Sequence, residues 1–191
     1  VYQDENGLLD LSMPNLIGAH QVQNAGATIA GLRFLGFDEA ACTAAITRAE
    51  WPARMQRLKR GPLIEAAPKA ELWLDGGHNA ACGEAVAETL TRLPKRPTHL
   101  ICGMLNTKDI AGYLRPLAKQ AMTLHGVSIP GETATLSAAE TVAAARQAGF
   151  QAEEAADVLS AVRHVVAADP HARILICGSL YLAGNVLREN G

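Results

Sequence analysis

Beyond Gly61 the chain alternates short apolar runs with longer amphipathic ones, and few folds accommodate that pattern. Leu72-Trp73-Leu74, Leu100-Ile101-Cys102, Met122-Thr123-Leu124 and Ile174-Leu175-Ile176-Cys177 are too short for helices and apolar on both sides. They read as strands buried on both faces. Between them, Cys82, Ala85, Val86, Thr89, Leu90 and Leu93 fall on one helical face. Ile110, Tyr113, Leu114, Leu117 and Ala118 form another, and Val158, Ala161, Val162, Val165 and Val166 a third. Ser137 to Ala148 predicts a further helix, stopped by Gly149. Strands alternating with helices at this spacing predict βαβ units, hence an α/β, Rossmann-like, mainly parallel sheet with helices on both faces. Pro62 to Ala67 is expected to add an antiparallel edge strand.

The first third of the chain differs. Gly18 to Leu35 predicts a helix whose Val22, Ala25, Gly26 and Ile29 form an apolar stripe, and Asp38 caps a second helix reaching about Ala49. Pro52 then breaks the chain, and the basic residues Arg54, Arg57, Lys59 and Arg60 follow, as at a linker or domain edge. The expected division is 1–56 and 57–191. The chain opens on Val1 rather than Met, so a truncated N-terminus is expected.

Composition excludes several functions. Among 191 residues the formal net charge is −2 and aromatics are 4%, so neither a basic footprint for nucleic acid nor a base-stacking platform is present. No apolar run approaches the ~18 residues of a membrane span. The four cysteines lie far apart inside apolar runs, which favours buried thiols in a reducing, cytoplasmic setting. The six histidines show no metal-ligand spacing, and His99, His125, His164 and His171 are read as structural. No glycine pair is separated by one residue and no glycine precedes a lysine, so dinucleotide and P-loop fingerprints are both missing.

In parallel α/β sheets, ligands sit beyond the carboxyl ends of the strands. Three such ends carry turn residues: Asp75-Gly76-Gly77-His78-Asn79, Gly103-Met104-Leu105-Asn106 and Gly178-Ser179. In the first, glycines permit a sharp turn, the helix start offers free N–H groups to an anion, and Asp75 can accept hydrogen bonds from a sugar. An ordinary strand–turn–helix with Asp75 or Asn79 as cap explains the same residues equally well.

Leu74-Asp75-Gly76-Gly77-His78-Asn79 resembles the L-D-x-A-H-N segment of folylpolyglutamate and dihydrofolate synthases, of the Mur ligase superfamily. Gly103-Met104-Leu105-Asn106-Thr107-Lys108-Asp109 resembles their G-M-L-x-x-K-D segment, and Ile176-Cys177-Gly178-Ser179-Leu180-Tyr181 their V-x-G-S-x-Y segment. Upstream, His20-Gln21-Val22-Gln23-Asn24-Ala25 is similar to H-Q-x-x-N-A, and Trp51-Pro52-Ala53-Arg54-Met55 to W-P-G-R-x. Five segments in one order span nearly the whole chain. Ala53 departs from the usual glycine, so a different local turn is expected there.

The resemblance implies the C-terminal part of a ligase that joins L-glutamate to dihydropteroate or reduced folate through an acyl phosphate, with ATP and Mg2+. Residues 1–56 would be the end of a central ATPase domain, and its absent remainder would hold the P-loop and the magnesium ligands. The partners implied are ATP, glutamate, a pteroate or folate, and that missing domain, with no nucleic acid and no membrane. The resemblance makes Asn24, Arg54 and Asp75 nucleotide contacts, at adenine or ribose, phosphate, and ribose or phosphate respectively. It makes His78 a catalytic-site residue holding glutamate or the transferred phosphate, and Lys108 and Ser179 substrate contacts. A peptidoglycan Mur-type ligase and a non-catalytic Rossmann-like nucleotide-binding module are the alternatives.

Overall fold

The computed structural model describes residues 1–190 and separates into two compact units, Val1–Pro52 and the chain from Ala53 onward. The division precedes the expected boundary after residue 56, because Ala53 and Met55 are already buried in the second unit's core.

In the first unit, β1 (Tyr2–Asp4) and β2 (Gly7–Leu9) form an antiparallel hairpin, followed by α1 (Ala19–Phe34) and α2 (Glu39–Thr47). Asp38 caps α2, its Oδ1 accepting from the Ala41 amide at 2.8 Å. Ile29, Cys42 and Ile46 form the core, with Tyr2, Leu9, Leu11, Ala25 and Leu32 around them. The expected α1 stripe is shifted: Val22 is exposed, and Gln21 is buried instead. The core-facing row therefore runs through Gln21, Ala25, Ile29 and Leu32.

The second unit holds a six-stranded sheet. Its strands are β3 (Gln56–Arg57), β4 (Glu71–Leu74), β5 (Thr98–Cys102), β6 (Thr123–Gly126), β7 (Gln151–Glu154) and β8 (Arg173–Cys177), in spatial order β3-β4-β8-β5-β6-β7. Only β3 runs antiparallel. Alternate side chains of each strand enter opposite layers. Leu72, Leu74, Ile101, Ile174 and Ile176 pack with Leu63, Val162 and Leu182 of α3 (Pro62–Ala66), α7 (Val158–Ala168) and α8 (Leu180–Asn190). Trp73, Leu100, Leu124, Leu175 and Cys177 pack with Val86, Leu114 and Val142 of α4 (Ala80–Arg92), α5 (Ile110–Leu114) and α6 (Ala138–Gln147).

The expected edge strand at Pro62–Ala67 is instead helix α3, and the antiparallel edge is β3. Gly61 turns with φ +91° and Pro62 supplies the first helical residue, a position where its missing N–H costs nothing. The Leu63 amide donates to Asn190 Oδ1 at 2.9 Å, fixing α3 against the end of α8. At the opposite end of the sheet, Met122 is exposed and β6 begins one residue later than its apolar run suggests.

Buried histidines lie on the adjacent strands β5 and β6. His99 Nδ1 lies 2.8 Å from Thr123 Oγ1 and its Nε2 3.9 Å from Asp169. The His125 ring lies 5.2 Å from that of His164, which reaches Glu153 at 3.5 Å. Burial pushes the pKa values of His99 and His125 below the usual 6.5, against the pull of Asp169 on the first and Glu153 on the second. The unfolded chain therefore takes up protons below pH 6.5 that the folded one resists. Stability is complete above that pH and falls as pH drops toward the folded values. Thermal melts should show a lower Tm at pH 5 than at pH 7, with a smaller drop in His125→Gln; identical melts at the two pH values would show that both rings protonate freely in the fold.

Candidate functional site

The carboxyl ends of β4, β8 and β5 lie side by side, so the three turns expected to form a rim do form one. Close approach is built in. A Cβ on Gly76 would sit 2.3 Å from Leu180 Cδ2 and 3.3 Å from an Arg54 guanidinium nitrogen. A Cβ on Gly103 would meet the Val127 carbonyl oxygen at 2.9 Å.

Arg54 reaches the rim on an unusual turn. Ala53 and Met55 both have left-handed backbones, φ +56° and +41°. Ala53, where glycine was the expected residue, thus adopts the conformation glycine would allow, at a cost of about 1–2 kcal/mol. The turn is tied on several sides. The Ala53 amide donates to Gln56 Oε1 at 2.9 Å, and the Gly76 amide to the Ala53 carbonyl at 2.9 Å. The Met55 amide donates to Asp75 Oδ2 at 2.9 Å. Arg54 itself is half-buried, one guanidinium nitrogen 3.1 Å from the Ala53 carbonyl.

Asp75 is the residue directly after β4. It is 5% exposed, and its second oxygen accepts from the Gly77 amide at 2.7 Å. Asp75 is not the helix cap; Asn79 caps α4, its Oδ1 accepting from the Cys82 amide at 2.9 Å. No acidic residue occupies the first turn of α4, leaving that positive end open to an anion. His78 stands just before it, half-buried, its Nδ1 3.1 Å from the Gly76 carbonyl oxygen.

Ser179 is buried, and its Oγ accepts from the Tyr181 amide at 3.0 Å, closing the first turn of α8. Lys108 is exposed beside Asp109, whose Oδ1 caps α5 by accepting from the Gly112 amide at 2.9 Å. Asn24, in the first unit, is exposed on α1 and donates to Gln21 Oε1 at 3.0 Å. The structure thus groups Arg54, Asp75 and His78 around Gly76 and gives Ser179 a helix-starting role.

Sequence reading missed two residues here. Gln56 holds the Arg54 turn, and nothing local marks it. The Tyr113 phenol is fully buried, in the electrostatic reach of Cys177 and Asp75. Burial above all raises its pKa, with Cys177, Asp75 and Cys102 adding to the effect. Tyr181, which ends the glycine–serine segment, is exposed at the start of α8. No group of His, Cys, Asp and Glu among the described residues is arranged to hold a metal ion.

Known proteins share this fold. The chain is 27% identical over 97% of its length to a folylpolyglutamate synthase of Lacticaseibacillus casei, covering 42% of that protein. It is 25% identical over 92% of its length to a dihydrofolate synthase/folylpolyglutamate synthase of Bacillus subtilis, covering 40% of it. Among solved structures, Mycobacterium tuberculosis folylpolyglutamate synthase complexed with ADP and AMPPCP superposes with a TM-score of 0.75 at 26% identity, over 91% of this chain and 40% of that one. The chain therefore spans about two-fifths of the length of these relatives. The model of the Mur ligase glutamate ligase domain matches residues 53–180, and so takes in β3 through the start of α8 and all three rim turns. By that match the chain belongs to the Mur ligase family, through its glutamate ligase domain.

Proposed function

We propose that this chain is the C-terminal part of an ATP-dependent ligase that adds L-glutamate to dihydropteroate or a reduced folate. The observation that carries the reading is Arg54, held on a left-handed turn over Gly76 beside the open N-terminus of α4. A guanidinium and a helix N-terminus at one strand end suit a phosphate. The names of the relatives favour folate over a peptidoglycan precursor as acceptor.

In the reaction proposed, ATP phosphorylates the acceptor carboxylate, and the glutamate amine displaces phosphate to form an amide and ADP. This domain's part is positioning and charge stabilisation. Arg54 holds nucleotide phosphate, and the backbone amides at the α4 start and His78 hold the transferred phosphate or the incoming glutamate. Gly76 and Gly77 let those groups approach the backbone. Lys108, exposed at the β5 end, is the remaining substrate contact proposed, and Asn24 is the base or ribose contact proposed for the first unit. The described residues do not fit a metal site, so no step is assigned here to Mg2+.

The test is Arg54→Ala in the full-length protein, assayed by glutamate incorporation into a pteroate or folate acceptor. Losing a charged hydrogen bond is worth roughly 1.5–3 kcal/mol, so KM for ATP should rise about ten- to a hundred-fold. An unchanged KM would remove Arg54 from the phosphate site. The 191-residue chain alone is expected to show no glutamate incorporation.

A further inference from the structure

A second loop reaches the rim beside the β5 turn. The chain leaves β5 through residues 103–109 into α5, and leaves the neighbouring β6 through residues 127–137 into α6. Beyond the strand ends the two loops pair again. Leu105 faces Thr135 in an antiparallel bridge, the Leu136 amide donates to the Met104 carbonyl at 2.8 Å, and the Asn106 amide donates to the Ala134 carbonyl at 2.8 Å. The Lys108 amide then donates back to the Leu105 carbonyl at 3.1 Å, so the turn that carries Lys108 springs from this bridge. Thr135 closes the β6 loop on itself. Its hydroxyl accepts from the Ile129 amide at 2.9 Å and donates to the Leu136 carbonyl at 2.8 Å. Ile129 is 2% exposed, so its amide has little water to turn to. From the other side, Asn185 Nδ2 donates to the Pro130 carbonyl at 3.1 Å and ties the loop to α8.

We propose that Thr135 is a positioning residue, whose hydroxyl locks the 129–136 loop against the β5 turn and so fixes the turn from which Lys108 meets its substrate. This rests on the reading of Lys108 as a substrate contact. Lysine is a flexible stem ending in a point charge, so what the fold can set is where that stem begins. A released loop lets the 105–108 turn drift, and the ammonium then meets a substrate carboxylate only part of the time. Thr135→Val keeps the shape and loses both bonds, leaving the buried Ile129 N–H without an acceptor. Thr135→Ser keeps the hydroxyl.

Steady-state kinetics of the full-length enzyme test this, with KM measured separately for glutamate, acceptor and ATP. Lys108→Ala identifies which carboxylate substrate the ammonium holds. Thr135→Val should raise KM for that same substrate about tenfold, leave KM for ATP unchanged, and be rescued by Thr135→Ser. Combined with Lys108→Ala it should add nothing beyond the Lys108→Ala effect. In the 191-residue chain, hydrogen exchange of the Asn106 amide should accelerate about tenfold in Thr135→Val and stay as in wild type in Thr135→Ser. If Thr135→Val does not fold, Asn185→Ala loosens the same loop from its α8 side and should raise the same KM. A rise in KM for ATP as large as that for the substrate would show a general loss of structure and overturn the proposal. Multiplying effects of Thr135→Val and Lys108→Ala would overturn it as well, because Thr135 would then act apart from Lys108. An unaltered Asn106 amide would overturn it independently. Should Lys108→Ala leave both substrate KM values unchanged, the reading of Lys108 falls, while the amide exchange still decides whether Thr135 holds the turn.

Discussion

Replacing Glu71 with alanine should destabilise the second unit by about 3–5 kcal/mol, because it strands a buried arginine. Arg173 opens β8 directly opposite Glu71 at the start of β4, and its side chain is only 3% exposed. Its guanidinium lies 3.2 Å from Glu71 and donates to the Pro94 carbonyl at 2.9 Å. Arg57, at 3.3 Å, and Arg96, at 3.8 Å, share the same carboxylate, but both are much more exposed and rehydrate when it is lost. Arg173 cannot rehydrate without separating β4 from β8. At roughly 4 °C per kcal/mol for a domain of this size, Tm should fall by about 10–20 °C. The carboxylate also sets an acid limit. Burial raises the Glu71 pKa, but the arginines outweigh it and hold it below the usual 4.5. The folded state therefore favours the ionised form. Its contribution is complete above pH 4.5 and is lost as pH falls through the lowered value. Glu71→Ala should accordingly show a flatter decline than wild type below pH 4.5, while keeping the decline below pH 6.5 that comes from His99 and His125. A Tm within a few degrees of wild type would mean that Arg173 finds water or another acceptor, and that the cluster is a surface network.

The pattern that made this sheet legible is burial on both faces. β4, β5 and β8 are apolar because helices cover them on both sides, and their runs stand out from the sequence. β7 does not, because Gln151-Ala152-Glu153-Glu154 lies at the edge and buries only Ala152. β3 is two residues long and carries no pattern at all. Pro62–Ala66 was ambiguous because five residues cannot separate a helical period from an extended one; Gly61 and the distant Asn190 decide it. The caps were local and readable: Asp38 bonds three residues ahead, and Ser137 with Glu140 completes a capping box. The rim was legible as positions and not as directions. What a strand-terminal Asp will meet is not written beside it, and one partner of Asp75, the Met55 amide, lies 20 residues away in sequence. His78 escapes the core face that begins at Cys82 because Asn79, extended at φ −144°, starts the helix after it.

Gly178→Ala should be among the most damaging single-methyl additions to the rim. Gly178 follows β8 with φ +104°, where an L residue is strained by about 1–2 kcal/mol. Strain is the smaller part. The new Cβ would lie 2.8 Å from Cys102 Sγ and 2.9 Å from the Gly103 carbonyl oxygen. Neither can retreat: Cys102 is fully buried at the end of β5, and the Gly103 amide is bonded back to the Cys177 carbonyl at 3.3 Å. Relief requires the ends of β5 and β8 to part, an overpacking cost of about 1–3 kcal/mol. The total, about 2–5 kcal/mol, corresponds to a Tm lower by roughly 8–20 °C. Parting those ends also shifts Ser179 and Leu180, and Leu180 packs against Gly76 beneath Arg54. Gly178→Ala in the full-length protein should therefore raise KM for ATP even below its own melting range. Gly184 gives the control. It lies in the same helix that Gly178 introduces, with open space where its Cβ would go and no left-handed backbone. Gly184→Ala should stabilise by about 0.5–1 kcal/mol through helix propensity alone. Opposite signs at two glycines six residues apart would show that the close approach of β5 to β8, and not glycine content, sets the rigidity of the rim. Equal and small effects would show that the strand ends yield easily, and that Arg54 is aimed by the 53–55 turn without help from α8.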